Sequence, residues 1–348
     1  MNQQDNIFSY LQAKKRILQK SISNRKKIYL DLKYWIKCRE IKTGVSTNIK
    51  EKQIYNLLKK LVETDKIICP ITDAVFLEVL KQKNMTLRNE TSMLLSELSK
   101  SVIIETFLQR VEHEISNVFS MLNYPQDISF NKDLDVWAKA WCIMGDNIPF
   151  NSLFKPEEML KIQKDFIDYA WEIDIKKVIE SLPANTDIDE DNPEYSIEKI
   201  NEEILQHADD ITNFYRAYEI EFLGIISLYK DLFKNLINGN LKSAIHPSKK
   251  EDKAGITHKI KKRAYNFPCL HIEAMCHAVL RLNKQRKLED NDLFDFQHAA
   301  VALPYCDAFF TEKGLSDILK NGNTKLNEIY DCKVLCSEDD IVKYLETL

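Results

Sequence analysis

The chain has 348 residues, a formal net charge of −4 and 44% hydrophobic residues. That length allows a sizeable core in one large or two ordinary domains. The charge balance excludes a uniformly basic surface, so any nucleic acid would have to meet a local basic patch. Only seven glycines occur, and neither GxGxxG nor GxxxxGK[ST] is present, which argues against dinucleotide and P-loop nucleotide binding.

Cysteine usage and hydropathy indicate a cytoplasmic protein. The eight cysteines form no CxxC pair, and no apolar run resembles a signal peptide or a bilayer-spanning segment. We therefore expect reduced, mostly buried thiols and no membrane partner.

The N-terminal part is predicted to be a basic helix over residues 1–24. Its cations include candidate phosphate contacts, and an apolar stripe containing Ile7, Leu11 and Ile17–Leu18 predicts that the helix docks on the core. The candidate nucleic-acid-binding residues here are Lys14, Lys15 and Arg16.

Two strand–helix units are predicted next. Residues 27–31 form a short apolar run that ends on Asp31, and residues 66–71 form a second one after an amphipathic helix over residues 51–64. Thr72 or Asp73 can cap the following helix, which carries Glu78 in apolar surroundings. This alternation favours a parallel sheet with right-handed crossovers.

Helical patterns dominate between residues 106 and 287, which we interpret as a large all-helical insertion. The predicted helices there cover 107–122, 133–144, 156–182, 196–237 and 269–285. A basic loop adds Lys259, Lys261, Lys262 and Arg263 as further candidate nucleic-acid contacts. The insertion also offers a surface for a second copy or a protein partner.

The last segment, residues 288–348, returns to the α/β pattern. A helix carrying Asp292 and Asp295 is predicted to end at Pro304 and to lead into a buried strand that ends before Glu312. A final strand is predicted over residues 332–336. The fold class is therefore α/β: a parallel sheet flanked by helices and built from residues 25–105 and 288–348.

Four carboxylates are expected to meet in this arrangement. Asp31 and Glu312 end strands, so both belong at the carboxyl edge of a parallel sheet, where ligands bind in open α/β folds. Helices entering that edge can deliver Glu78 and Asp295. Crowded carboxylates repel one another and raise their own pKa values unless a cation joins them, and a hard cation such as Mg²⁺ or Mn²⁺ fits oxygen ligands.

The order of these motifs resembles the PIN-domain nucleases. The matching features are a strand ending in Asp31, PIT…E at Pro70–Glu78, DxxHAA at Asp295–Ala300 and FFTEK at Phe309–Lys313. The resemblance covers only the two terminal segments. It implies a metal-dependent endoribonuclease of the toxin–antitoxin, defence or RNA-processing kind that leaves a 5′-phosphate, with Asp31, Glu78 and Asp295 as metal ligands.

One departure from the family pattern concerns the fourth ligand. Lys313 stands where the family usually has an acid, so the fourth carboxylate is Glu312, Asp307 or missing. This departure keeps an alternative open, namely an inactive PIN-like binding or scaffold protein. The candidate residues around the ligands are Thr72, Asp292, His298, Asp307 and Thr311.

Simpler roles are also open for several of these residues. Asp31 and Asp292 can each act as a helix N-cap, and His298 can be a packing residue. Cys269, His271, Cys276 and His277 match no zinc-site spacing and belong to an apolar helix pattern. A haloacid-dehalogenase-type phosphatase would need an aspartate where Lys33 stands.

Overall fold

The computed structural model describes residues 3–123, 136–183, 197–206, 208–229, 266–283 and 286–348. A four-stranded parallel sheet has the strand order β2-β1-β5-β6. Its strands are β1 (Lys26–Leu30), β2 (Ile67–Ile68), β5 (Ala308–Phe310) and β6 (Lys333–Leu335). The two terminal segments of the chain therefore supply every strand of this sheet.

A short ladder extends the structure beside β2. Strand β3 (Val102–Ile104) pairs antiparallel with β4 (Trp137–Lys139). A parallel bridge between Ile71 and Ile103 joins the ladder to the end of the β2 segment.

Helices surround the sheet and make up most of the described chain. In order they are α1 (Gln3–Ile22), α2 (Leu32–Thr43), α3 (Ile49–Glu63), α4 (Asp73–Leu80), α5 (Met85–Ser99), α6 (Phe107–Asn123), α7 (Pro156–Trp171), α8 (Ile175–Glu180), α9 (Ile197–Gln206), α10 (Phe214–Leu228), α11 (Pro268–Leu282), α12 (Asp290–Tyr305), α13 (Lys313–Leu319), α14 (Leu326–Ile329) and α15 (Glu338–Glu346). Short 3₁₀ turns cover Ala140–Met144 and Ala208–Asp210.

Strand β1 lies at the centre of the core. Ile28, Tyr29 and Leu30 are fully buried, as expected for a parallel strand that helices cover on both faces. Helix α2 starts immediately after it, with Asp31 as its N-cap, and ends at Gly44 in the left-handed conformation that glycine adopts without a Cβ clash. The abrupt change from strand to helix holds Asp31 at the sheet edge.

The predicted parallel sheet is confirmed, but the predicted helical middle is partly wrong. Residues 133–144 contain β4 and a 3₁₀ turn rather than a helix, so the segment 106–287 is not all-helical. The helix predicted over 156–182 is two helices, because the chain leaves the helix at Glu172 and restarts after the N-cap Asp174. The helix predicted over 196–237 is interrupted between α9 and α10, where a 3₁₀ turn and the N-cap Asn213 lie, and its part beyond residue 229 lies outside the described residues.

Smaller predictions had mixed outcomes. Helix α1 docks through Ile7, Leu11 and Leu18, whereas Ile17 is 69% exposed. Helix α12 continues through Pro304 to Tyr305. None of the eight cysteines, all of which are described, forms a disulfide, and seven are buried. No helix in the described part of the chain is long and apolar enough to cross a membrane.

Candidate active site

Asp31 is fixed at the carboxyl edge by contacts on both sides. Its backbone N–H donates to the carbonyl of Phe310 at 3.1 Å, which ties it to β5. Its carboxylate accepts hydrogen bonds from the backbone N–H of Lys33 at 2.7 Å and from Thr311 Oγ1 at 3.0 Å. The residue therefore caps α2 and faces the neighbouring strand at the same time. Thr311 takes the supporting position predicted for it.

Asp295 and Glu312 bring negative charge to the same place. Glu312 is exposed at the N-cap position of α13 and makes no side-chain cap bond. Burial, followed by the charges of Asp31 and Glu312, raises the pKa of Asp295 to about 7. Among the described residues, no lysine or arginine forms a salt bridge with Asp31, Asp295 or Glu312.

The pKa of Asp31 is raised as well. Burial is the main cause, and the charge of Glu78 adds to it, although His298, the Lys33 amide and Thr311 act in the opposite direction. The charge of Glu78 thus acts on Asp31, and the charges of Asp31 and Glu312 act on Asp295. Of the acids expected to meet here, Asp31 and Glu312 lie close enough to Asp295 for their charges to act on it.

Glu78 reaches this edge from α4, where it contacts a histidine. His298 Nε2 lies 2.9 Å from Glu78 Oε2, and the other ring nitrogen, Nδ1, lies 2.7 Å from the hydroxyl of Tyr29. That hydroxyl lies 2.7 Å from Thr72 Oγ1. Thr72 is also the N-cap of α4 and accepts the N–H of Val75 at 3.5 Å.

The electrostatic surroundings of His298 reflect these acids. Burial alone would lower the pKa of His298, but the hydrogen bond and charge of Glu78, with the charges of Asp31 and Asp295, raise it. His298 is 2% exposed, so it is both a packed residue, as the simpler interpretation had it, and a direct partner of a candidate ligand.

Tyr29 is the residue that the sequence analysis missed. An aromatic residue inside an apolar strand is normally interpreted as core, and Tyr29 is indeed fully buried. A usable signal was its position two residues before Asp31, because residues i and i+2 of a strand share a face.

Comparisons of this chain with protein-family models, with curated proteins and with solved structures gave no match. The chemistry of the site itself must therefore carry the functional argument.

The carboxylate oxygens suit a hard divalent cation, since two of the acids have raised pKa values and neither pairs with a lysine or arginine in the described part of the chain. In the residues described, however, no three acidic, histidine or cysteine side chains already converge closely enough to hold an ion. Binding would need side-chain rotation, and Glu78, which now contacts His298, is the clearest example.

Two acids proposed near the site belong elsewhere. Asp307 precedes β5, so it lies at the amino edge, and β1 separates the two edges by about 13 Å at 3.3 Å per residue. It accepts the N–H of Lys27 and pairs with Lys26, both at 2.8 Å. The prediction of Asp307 as a fourth ligand or close support is therefore wrong.

Asp292 has a structural role, although not the one predicted. Glu289 is the N-cap of α12, and Asp292 is the third helical residue, whose side chain accepts the Glu289 N–H at 2.9 Å. It is buried and pairs with Arg286 at 2.5 Å. Its charge adds only a minor contribution to the raised pKa of Asp295.

The basic residues of α1 do not face the carboxyl edge. Lys14 pairs with the exposed Asp168, and Lys15 is 2% exposed and pairs with Glu105 and Asp146. Lys15 is therefore not available to a phosphate, contrary to the prediction. Arg16 lines a cleft of about 430 Å³ together with Asp307 at the amino edge. Lys259, Lys261, Lys262 and Arg263 lie outside the described residues.

The cysteines and histidines of α11 pack into the core, as expected. Cys269 donates its backbone N–H to Glu114 at 3.2 Å, and His271 Nδ1 lies 2.8 Å from the hydroxyl of Tyr218. The ring of His277 contacts Phe296 edge to face. These contacts fit helix packing, and no three of such side chains in the described part of the chain could hold a metal ion.

Proposed function

We propose that this chain is a metal-dependent endonuclease with a PIN-like sheet, in which the acids at the carboxyl edge hold Mg²⁺ or Mn²⁺. The observation that carries the proposal is that the charges of Asp31 and Glu312 act on Asp295 at the carboxyl edge, where no lysine or arginine of the described residues pairs with these acids. Such an arrangement costs stability when the acids are ionised unless a cation is bound. RNA as the substrate, and a 5′-phosphate as the product, are proposed from the motif resemblance.

The contacts and exposure of each acid indicate a different role for it in binding the cation. Asp31 is held rigidly by the Lys33 amide and Thr311, so it would be the anchoring ligand. Asp295 would be a second ligand whose ionisation the cation favours, and the exposed Glu312 is free to follow the ion or the substrate. When bound, the cation would supply Lewis-acid stabilisation of the phosphodiester and activation of water.

The contact between His298 and Glu78 supports an alternative. Glu78 already has a buried histidine at 2.9 Å, and Lys313 replaces an acid that the family usually has. An inactive PIN-like binding or scaffold protein would need no cation at this edge. The two functions differ in a simple property: only the nuclease should gain thermal stability from Mn²⁺.

The proposed nuclease is tested by replacing Asp295, the acid whose pKa is raised to about 7. Asp295→Asn removes the charge with little change in volume and should abolish Mn²⁺-dependent cleavage of a fluorescent RNA. The loss should exceed the roughly 10–100-fold that an outer-shell partner typically costs. Asp307→Asn is the matched control, because it changes an acid beside the same strands at the opposite edge and should retain activity.

Equal activity of Asp295→Asn and the parent chain would remove Asp295 from the site. A parent chain that shows neither cleavage nor a Mn²⁺-dependent change in melting temperature would favour the scaffold.

A further inference from the structure

A chain of three short hydrogen bonds runs beneath the candidate site. It links Thr72 to Tyr29 at 2.7 Å, Tyr29 to His298 at 2.7 Å, and His298 to Glu78 at 2.9 Å. The first three residues are at most 2% exposed, so water does not compete for these bonds. These three hydrogen bonds connect the interior of the sheet to a carboxylate at its edge.

The donors in this chain follow from its outer end. The carboxylate of Glu78 can only accept, so Nε2 of His298, 2.9 Å from it, carries a proton. In the neutral imidazole Nδ1 then has no proton and accepts from the hydroxyl of Tyr29 at 2.7 Å. The oxygen of Tyr29 in turn accepts from Thr72 Oγ1, whose lone pairs remain for the N–H of Val75.

Packing holds the aromatic members of this chain in place. The ring of Tyr29 contacts that of Phe309 on the next strand, with centroids 5.4 Å apart, and lies 5.7 Å from the ring of His298. Tyr29 belongs to β1, the central strand, and has little freedom to move. A rigid donor on the sheet is well suited to set the orientation of a histidine on a helix.

We propose that Tyr29, supported by Thr72, is a positioning residue that holds His298 in the Nε2-protonated tautomer and thereby orients the Glu78 carboxylate. The tautomer is independent of the proposed function, whereas its consequence for a bound cation rests on that function. Tyr29 contacts neither substrate nor cation in this account and acts only through His298.

The tautomer can be read from ¹⁵N spectra of histidine-labelled protein at alkaline pH, where the ring is neutral. His298 is assigned by the resonances that disappear in His298→Gln. In the parent chain its Nε2 should be protonated, and in Tyr29→Phe the population should shift towards the Nδ1-protonated form. The matched control is Tyr218→Phe, which removes the same kind of bond to His271 and should leave the His298 signals unchanged.

Unchanged His298 signals in Tyr29→Phe would overturn the proposal, as would a parent chain with the proton on Nδ1. The support from Thr72 is tested in the same spectra. Thr72→Ser keeps the hydroxyl and should match the parent, whereas Thr72→Val should shift the tautomer in the direction of Tyr29→Phe. Identical spectra for the two Thr72 variants would remove Thr72 from the chain of donors.

Mn²⁺ titration then tests the consequence for Glu78. Tyr29→Phe should weaken Mn²⁺ binding about 10-fold, as for loss of an outer-shell partner, and Tyr218→Phe should not. Unchanged Mn²⁺ affinity in Tyr29→Phe would show that the tautomer does not orient a ligand, which overturns that half of the proposal. If the parent chain binds no Mn²⁺, the proposed function fails, and the histidine spectra alone decide the role of Tyr29.

Discussion

Two groups of acids in this protein differ in how their charge is balanced. Glu105, which follows β3, is paired with Lys15 at 2.5 Å and with His113 at 2.9 Å. At the carboxyl edge of the main sheet, Asp31 and Asp295 have no lysine or arginine partner among the described residues. Glu105 and Asp31 are buried and Asp295 is half-buried, but only Glu105 has a lysine partner among the described residues.

The pKa values follow this difference. Burial alone would raise the pKa of Glu105, but the hydrogen bond from His113 and the charge of Lys15 lower it below its usual value. At the carboxyl edge, burial and neighbouring acids act in the same direction and raise the pKa values of Asp31 and Asp295. Removing one partner of a buried ion pair leaves an uncompensated charge, whereas unpaired acids with raised pKa values are common at functional sites.

The largest effect is expected from breaking the paired group. Lys15→Met keeps much of the side-chain volume and leaves Glu105 buried without its lysine partner, which should destabilise the protein by about 3–5 kcal/mol. Urea unfolding measures this loss. Lys14→Met is the control, because its partner Asp168 is half-exposed and such surface pairs contribute about 0–1 kcal/mol. Equal losses in the two variants would contradict the comparison.

A smaller and pH-dependent effect is expected for Glu114, which sits beside the paired group. Burial raises its pKa to about 7, despite hydrogen bonds from Cys269 and Tyr305. Because the pKa of this carboxyl is higher in the folded state than in the unfolded state, the folded state binds the proton more tightly. The resulting contribution to stability is fully present below about pH 4 and is lost as the pH rises through 7. Between pH 4 and pH 7 the parent chain should lose at most a few kcal/mol of unfolding free energy through Glu114, and Glu114→Gln should not show this loss.

Thermal unfolding of the parent chain and of Glu114→Gln at several pH values tests this prediction. Glutamine keeps an acceptor for the Cys269 N–H, so the variant should fold. Curves that run parallel from pH 4 to pH 7 would show that Glu114 is not protonated in the folded state.

The smallest effect on stability is expected at the carboxyl edge without metal. Asp295→Asn removes an acid that repels Asp31 and Glu312, so in EDTA the variant should be as stable as the parent chain or slightly more so, within about 1 kcal/mol. The contrasting variant is Glu105→Gln, which removes the partner of Lys15 and should lower the melting temperature. A large destabilisation by Asp295→Asn in EDTA would mean that this acid is structural.

The sheet and its carboxyl edge could be predicted from the sequence because short local patterns determine them. An apolar run that ends on Asp31 and passes directly into a helix predicts the end of a parallel strand, and the pair Phe310 and Glu312 repeats the pattern. Parallel pairing then places both acids at one edge, whatever the rest of the chain does.

The remaining features depend on tertiary contacts that local patterns do not contain. Trp137–Lys139 is an apolar stretch that pairs with β3 because that edge is free, although its pattern equally suits a helix. Asp307 is only four residues from Thr311, yet it lies at the other end of β5. Lys15 belongs to a charged run and is nevertheless buried by acids from distant segments.

Anomalous diffraction from crystals of the protein soaked in Mn²⁺ tests the proposed metal site most directly. We expect a Mn²⁺ peak at the carboxyl edge, with carboxylate oxygens of Asp31 and Asp295 at about 2.1 Å or slightly longer. A soak that leaves this edge without a peak, while Glu78 keeps its contact with His298, would contradict it.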